Sequence, residues 1–395
     1  MEKNKKKIHI LYDFFLNLFY PTIIILKLLS KFYKIKIGNI TPFRIGHLVG
    51  ELSLWYLENQ SDKKSIQIWY VSKNVCNKFF INKIKEKIKI SNNFFIKILF
   101  DTLKKFNKKE FLISGPTYGE RDLKSLIYKN PDLINFTPEE TKYGNKILDQ
   151  MGIKDNDKIV CMCIRDNFFF EKVLKTKNYK KYEFKNSNIE NYNKAVKYLN
   201  ENNIKVIRMG VGSEKEWTAK NGINFDYSLS KYRSDFMDFY LVSKSKFVIT
   251  NGTGFYWIPY ILKKPLVMAD FTPIGGLCSY VPNSIHIFKH LYFKKEKRRL
   301  NLKELVSEEF NFFYSADDYQ KKELDLIDNT PDEILECVLQ MNSFLDGEEI
   351  DELDAEIQKK FWNFLPNRIE KYLKNNKTHE IINAKIGNKF LKKYI

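Results

Sequence analysis

KFVITNGTGFYWIPYIL, residues 246–262, decides the fold. The apolar run KFVIT at 246–250 ends in the turn Thr250-Asn251-Gly252-Thr253-Gly254, and a helical stretch, FYWIPYIL, starts on the far side. A strand that is apolar at almost every position is buried on both faces, as in a parallel sheet covered by helices. The unit recurs along the second half of the chain. IVCMCI at 159–164, KVIRM at 205–209 and PLVMA at 265–269 read as further strands, with helices starting near Asn188, Ser234 and Gly254. Strands alternating with helical periods make the class α/β.

The first half carries the same alternation more weakly. IKIGNI at 35–40, IQIWYV at 66–71 and FLIS at 111–114 read as strands, and His47 to Glu58 as a helix with Leu48, Leu52 and Trp55 on one face. NPDLINFTPEE at 130–140 holds two prolines and a Thr-Pro-Glu-Glu helix start, so the halves meet there. The expected organisation is an apolar and basic segment at 1–37, an acceptor-side Rossmann-like domain at 38–138, a donor-binding Rossmann-like domain at 139–345 and a helical segment at 346–395. The two domains are expected to face a central cleft. From about Asn301 the composition turns acidic, and Phe361, Trp362, Phe364 and Leu365 mark a last helix that docks.

Composition narrows the function classes. With 395 residues and 44% hydrophobic content the chain builds real cores and is not disordered. A net charge of +19 points to nucleic acid, an anionic membrane or a phosphorylated substrate, although Lys, Asn, Ile and Phe are abundant throughout, as in an AT-rich genome. Nucleic acid is not expected, because the lysines are dispersed and no aromatic RNA-binding motif, zinc finger or basic recognition helix is present. Cys76, Cys161, Cys163, Cys278 and Cys337 form no CxxC pair, and the five histidines are scattered, so reduced thiols, a cytoplasmic chain and no metal are expected. Residues 8–33 are the most apolar stretch, yet Asp13, Asn17, Pro21 and Lys27 break it before about 20 clean residues accumulate. An amphipathic helix at an anionic membrane surface is expected, with packing on the domain as the alternative.

In open α/β sheets ligands bind beyond the carboxyl ends of the strands. Three segments meet that rule: Arg165-Asp166 after IVCMCI, Arg208-Met209-Gly210 after KVI, and the loop from Thr250 to Gly254. Glycine lets a backbone approach a phosphate and a helix N-terminus offers free N–H groups, so Thr250, Asn251, Gly252, Thr253 and Gly254 are donor-site candidates, a plain tight turn being the alternative. The planar forks of Arg165 and Arg208 suit a diphosphate, unless they serve structural ion pairs. In Tyr232-Arg233-Ser234-Asp235, Ser234 reads as a cap and Asp235 as a first-turn acid, and Arg233, which has no capping purpose, and Asp235 both join the donor candidates, capping alone being the alternative for Asp235. In the first half, Arg44, Gly46 and His47 gather at a strand-to-helix turn. His47 is either the base that deprotonates an acceptor hydroxyl or a hydrogen-bonding residue. Asp155-Asn156-Asp157 spells an Asp-x-Asp motif at the amino end of the sheet, where it reads as a turn.

In order, RIGHLVGE, FLISGPTYGERDL, YGNKILDQMGI, IVCMCIRDN, VIRMG, YRSDFMDFYL and TNGTGFYWIPY resemble a family of bacterial glycosyltransferases of surface-polysaccharide assembly, over roughly residues 38–290. The resemblance implies a GT-B-like fold, similar to that of the O-fucosyltransferases. It implies that Arg165 holds the nucleotide diphosphate, that the loop TNGTG is the donor turn and that RIGH faces the acceptor. Cys163 stands where such enzymes are expected to carry histidine. The expected reaction is a metal-independent, inverting transfer of a hexosyl or deoxyhexosyl group from a nucleotide-sugar co-substrate to a glycan or lipid-linked acceptor. Arg165 and the loop neutralise the leaving diphosphate while His47 or Asp166 acts as base. The alternatives are a non-catalytic scaffold of the same fold at the membrane surface and a basic nucleic-acid-binding protein.

Overall fold

The computed structural model describes residues 2–60, 64–113, 121–130, 133–176, 179–214, 216–217, 224–307, 309–310, 313–348, 352–365 and 379–394, with side chains from Ile10 onward. The chain forms two compact units, Met1–Glu120 and Arg121–Ile395.

The first unit opens with two helices, α1 (Glu2–Leu18) and α2 (Tyr20–Leu29), bent by 42° at their junction, where one amphipathic helix was expected. No single helix among the described residues is long and apolar enough to cross a membrane. The parallel strands β1 (Lys34–Asn39), β2 (Ser65–Tyr70) and β3 (Lys89–Ser91) follow, pairing in that order. A π-helical turn, His47–Glu51, runs into α3 (Leu52–Asn59) and buries Leu48, Leu52 and Trp55 as their spacing predicts. Helices α4 (Lys78–Lys85) and α5 (Phe94–Lys105) each start on an asparagine: Asn77 accepts from the Phe80 amide and Asn93 from the Phe95 amide. In the FLIS segment Phe111 ends a 3₁₀ turn, Leu112 makes one parallel bridge to Ile37, the Ile113 amide donates to the Ile37 carbonyl at 2.8 Å, and Ser114 lies outside the described residues. Ile23, Leu26, Ile37, Leu103 and Phe111 form one core cluster, so α2 is part of the folded unit.

In the second unit, α6 (Leu126–Lys129) and α7 (Pro138–Gln150) precede the sheet, and Thr137 with Glu140 closes a reciprocal cap at the predicted helix start. The sheet elements run β4 (Lys158–Cys163), α8 (Asn193–Glu201), β5 (Ile204–Arg208), β6 (Phe225–Asp226), α9 (Asp235–Lys244), β7 (Phe247–Thr250), α10 (Trp257–Ile261), β8 (Leu266–Phe271) and β9 (Ser284–Phe288). A small antiparallel sheet, β10 (His290–Phe293), β11 (Arg298–Arg299) and β12 (Leu324–Ile327), encloses α11 (Leu302–Leu305) and α12 (Ala316–Lys321) in sequence. The chain closes with α13 (Pro331–Leu345), α14 (Glu352–Phe364), β13 (Lys385–Ile386) and α15 (Asn388–Leu391).

The seven-stranded sheet has the order β6-β5-β4-β7-β8-β9-β13, parallel throughout. Counted from β4, that is the 3-2-1-4-5-6 order of a Rossmann sheet, extended by one strand. The order reverses between β4 and β7, and the connections leaving these two strands diverge there, opening a crevice at their carboxyl ends. The segment after residue 346, expected to be helical, also supplies β13, which pairs with β9. Phe361, Trp362 and Leu365 are buried as expected, but Phe364 is 55% exposed.

Candidate functional site

The site is built where β4 and β7 end side by side, with Cys163 opposite Thr250. Thr250 is fully buried and its hydroxyl donates to the Cys163 carbonyl at 2.9 Å. Asn251, also buried, accepts from the Arg165 amide at 3.0 Å and donates to the Lys185 carbonyl and the Ser187 hydroxyl. These two side chains lock the loop after β7 to the loop after β4. Gly252 sits at φ 71°, and a Cβ there would meet the Phe271 ring at 2.8 Å, so this turn requires glycine. The Thr253 hydroxyl accepts from the Phe255 amide at 3.1 Å, and the partly exposed backbone from Gly252 to Gly254 rims the crevice. The helical stretch expected after the loop forms as a 3₁₀ turn, Gly254–Tyr256, continued by the five-residue α10.

Arg165 is half-buried, with its guanidinium 4.7 Å over the Phe170 ring and one nitrogen donating to the Tyr182 carbonyl at 3.2 Å. Asp166 uses one oxygen to accept from the Phe168 amide and the other to accept from the Glu214 amide, at 3.0 and 2.9 Å. It thereby ties the loop after β4 to the loop after β5. Arg208 is only 3% exposed and forms an ion pair with Asp226 at 3.2 Å, while Asp226 also accepts from the Ser228 hydroxyl. Gly210, at φ 142°, offers its carbonyl to Arg233 Nε at 3.2 Å. Arg233 also reaches Asp238 at 3.4 Å, and Tyr227 donates its hydroxyl to Asp238 at 2.8 Å. Ser234 caps α9 through the Met237 amide, and Asp235 stands in the first turn of that helix, as read from sequence.

Burial raises the Asp238 carboxyl to about 6, against the pull of Arg233 and Tyr227. Sequence reading passed over Asp238 because an acid in a first helical turn is sufficiently explained by the helix dipole. Only the return of Arg233 over α9 reveals the ion pair. Burial likewise pushes the Cys163 thiol up to about 12, with Asp166 and Asp238 adding to the shift and Arg208 and Thr253 opposing it. The carboxyl edge therefore gathers Asp166, Arg208, Asp238 and Thr253 around Cys163, whose thiol stays protonated at neutral pH and is no nucleophile.

In the first unit, His47 opens the π-helical turn and its Nδ1 meets Glu51 Oε1 at 2.5 Å, both side chains being about one-third exposed. A carboxylate at Nδ1 favours the tautomer protonated there and makes Nε2 the basic nitrogen. Glu51 was missed in sequence, although a partner four residues along a helix is a readable signal. Arg44 and Gly46 lie in the same partly exposed turn, with the Arg44 carbonyl accepting from the Leu48 amide at 2.9 Å. Asp155 and Asp157 form a turn at the amino end of β4, where Asp157 accepts from the Lys154 amide and the Lys205 ammonium. Among the described residues, no group of His, Cys, Asp or Glu is arranged to hold a metal ion.

No family model matches the chain, and no curated protein does. Solved structures similar to it include the ADP-heptose LPS heptosyltransferase II of E. coli, at 12% identity and a TM-score of 0.42 over 79% of this chain and 100% of that one. A glycosyl transferase of family 9 from Veillonella parvula matches at 10% identity and a TM-score of 0.39, over 65% and 86% of the two chains. The E. coli heptosyltransferase WaaC with ADP matches at 10% identity and a TM-score of 0.33, over 64% and 91%. At these scores the fold assignment rests on the chain's own strand order.

Proposed function

We propose that this chain is a metal-independent glycosyltransferase that takes a sugar from a nucleotide-sugar donor bound at the β4–β7 crevice. The reading is carried by one observation: the strand-order reversal of a Rossmann sheet coincides with the loops bearing Arg165 and Thr253, and Arg233, which follows the edge strand β6, reaches the loop after β5 at the Gly210 carbonyl. Ligands of such sheets bind at the switch point, and a leaving diphosphate needs guanidinium and backbone N–H donors placed in advance. Arg165, Arg233, Thr253 and the backbone from Gly252 to Gly254 take that role. Thr250, Asn251 and Arg208 are buried and Asp166 commits both carboxylate oxygens to backbone amides, so these four are positioning residues, whereas Arg165, Arg233 and Thr253 are partly exposed. That use of both Asp166 oxygens favours His47, held by Glu51, as the base that deprotonates the acceptor of a surface glycan.

Calorimetric titration with UDP, GDP, CDP, ADP, TDP and CMP, without metal and again with EDTA, tests the donor site. One diphosphate is expected to bind selectively and independently of EDTA, with Arg165→Ala weakening it at least tenfold at an unchanged melting temperature. Failure of every nucleotide to bind overturns the proposal. His47→Ala is expected to abolish transfer and spare nucleotide binding, a separation that a non-catalytic scaffold does not show.

A further inference from the structure

The first unit carries an apolar surface that its own fold leaves uncovered. Along α1 and α2 the buried positions, Leu16, Ile23 and Leu26, face the core, and Tyr12 bonds Asp101 of α5 at 2.7 Å. A second stripe points away from that core. Ile10, Leu11, Phe14 and Leu18 on α1, then Ile24, Ile25 and Leu28 on α2, are each more than half exposed. Phe32, at 80% exposed, and Tyr33 continue the stripe beyond α2, and Phe94 and Phe95 at the start of α5 are also exposed. An apolar groove of about 280 Å³ runs between α2 and α5, lined by Phe19, Ile25, Leu26, Phe95, Ile96 and Leu99. A helix on the surface of a water-soluble domain places polar residues outward, whereas these helices are apolar on two opposite sides.

Charge identifies the occupant. Between Asp13 and Glu51 the sequence holds no acidic residue, while Lys27, Lys31 and Lys34 are exposed beside the stripe and Lys3, Lys5, Lys6 and Lys7 precede it in the chain. The acid at the edge, Asp13, is engaged by Lys105 at 2.8 Å. Apolar side chains flanked by lysines, with aromatic residues between, match the boundary between acyl chains and anionic headgroups. Because Ile23 and Leu26 belong to the core, the pair is fastened to its unit and lies along a surface. We propose that the outer face of α1 and α2, with the groove against α5, docks this protein on the surface of an anionic lipid bilayer, an inference that stands apart from the glycosyl-transfer reading.

The test is sedimentation of the full chain with phosphatidylcholine vesicles, with and without phosphatidylglycerol. Binding is expected to require phosphatidylglycerol and to weaken with salt. Ile24→Asp with Leu28→Asp should lower the partition constant at least tenfold while circular dichroism and melting temperature stay unchanged, since both side chains are exposed. Lys27→Glu with Lys31→Glu should lower it severalfold and remove most of the salt dependence. Vesicle binding that persists in Ile24→Asp with Leu28→Asp overturns the inference. So does a chain that ignores vesicles but is a dimer in solution and becomes monomeric in that variant, which would assign the face to a second copy.

Discussion

Arg165 and Arg208 look alike in sequence, each standing at the end of a buried strand, and the structure separates them by what lies beside them. Arg208 is covered because the two-residue strand β6 brings Asp226 against it, and a two-residue strand has no periodicity to read. Arg208→Ala should therefore cost about 3–5 kcal/mol of stability by leaving Asp226 without its partner in a low-dielectric site. Urea denaturation reads that loss; full stability with lowered nucleotide affinity would instead make Arg208 a donor contact. His286 on β9 is a second residue whose state burial decides. Its ring is fully buried, Nε2 meets the Ser284 hydroxyl at 2.9 Å, and burial lowers its pKa to about 3. The unfolded ring, at about 6.5, binds a proton that the folded ring refuses, so its stabilising contribution is present above about pH 6.5 and is lost as pH falls toward 3. The unfolding free energy of His286→Asn should fall less steeply than the wild type's between pH 6.5 and 4, by up to about 1.4 kcal/mol per pH unit. Parallel slopes for the two proteins would refute this.

At the scale of elements, the strands buried on both faces were the most legible. Those read at 159–164, 205–209, 246–250 and 265–269 are β4, β5, β7 and β8 to within two residues, because short runs that are apolar at almost every position and bounded by turns read as strands buried on both faces. Elements that depend on partners were not legible: β13 exists only because β9 has a free edge, and the division of the stretch after Gly254 into a 3₁₀ turn and the five-residue α10, which ends just before Lys263 at φ 55°, has no sequence signal. Helix contacts were equally hidden. In α7, Gly144 faces the ring of Tyr240 on α9, and a Cβ would approach that ring to 2.3 Å. The ring cannot easily yield, since its hydroxyl is bonded to the Thr141 carbonyl and to Asn145. In an isolated helix Gly→Ala stabilises by about 1 kcal/mol; here overpacking of about 1–3 kcal/mol opposes it and should win. Gly144→Ala is thus expected to lower the melting temperature, and Gly144→Ala with Tyr240→Leu to recover part of the loss. A stabilised single variant would show that α9 shifts freely against α7.

For the whole molecule, the class and the loops that follow β4 and β7 were readable from alternation alone, whereas the 3-2-1-4-5-6 order was not, because adjacency in a sheet is set by packing between distant segments. The two ends of the chain also differ in a way composition did not reveal. At the carboxyl end, Phe390 packs edge-on against Phe288 at 4.8 Å and Phe361 stacks on the same ring at 6.1 Å. Gln358 closes on β13, accepting from the Ile386 amide and donating to its carbonyl, and Lys393 reaches the buried Glu333 at 2.9 Å. Despite its burial, bonds from His290, the Thr330 amide and Lys393 hold the Glu333 carboxyl well below the usual range. Removing residues 352–395 would expose one face of β9, leave its edge unpaired and take away the Lys393 ammonium at Glu333. Buried aromatic truncations each cost about 3–5 kcal/mol, and a domain's stability is about 5–15 kcal/mol in total. The truncated chain should therefore be insoluble, or lose its cooperative thermal transition in calorimetry. A soluble truncation that melts like the full chain would mean that the six strands from β6 to β9 fold without the seventh, and that the contacts of α14 and α15 are bystanders to the core they cover.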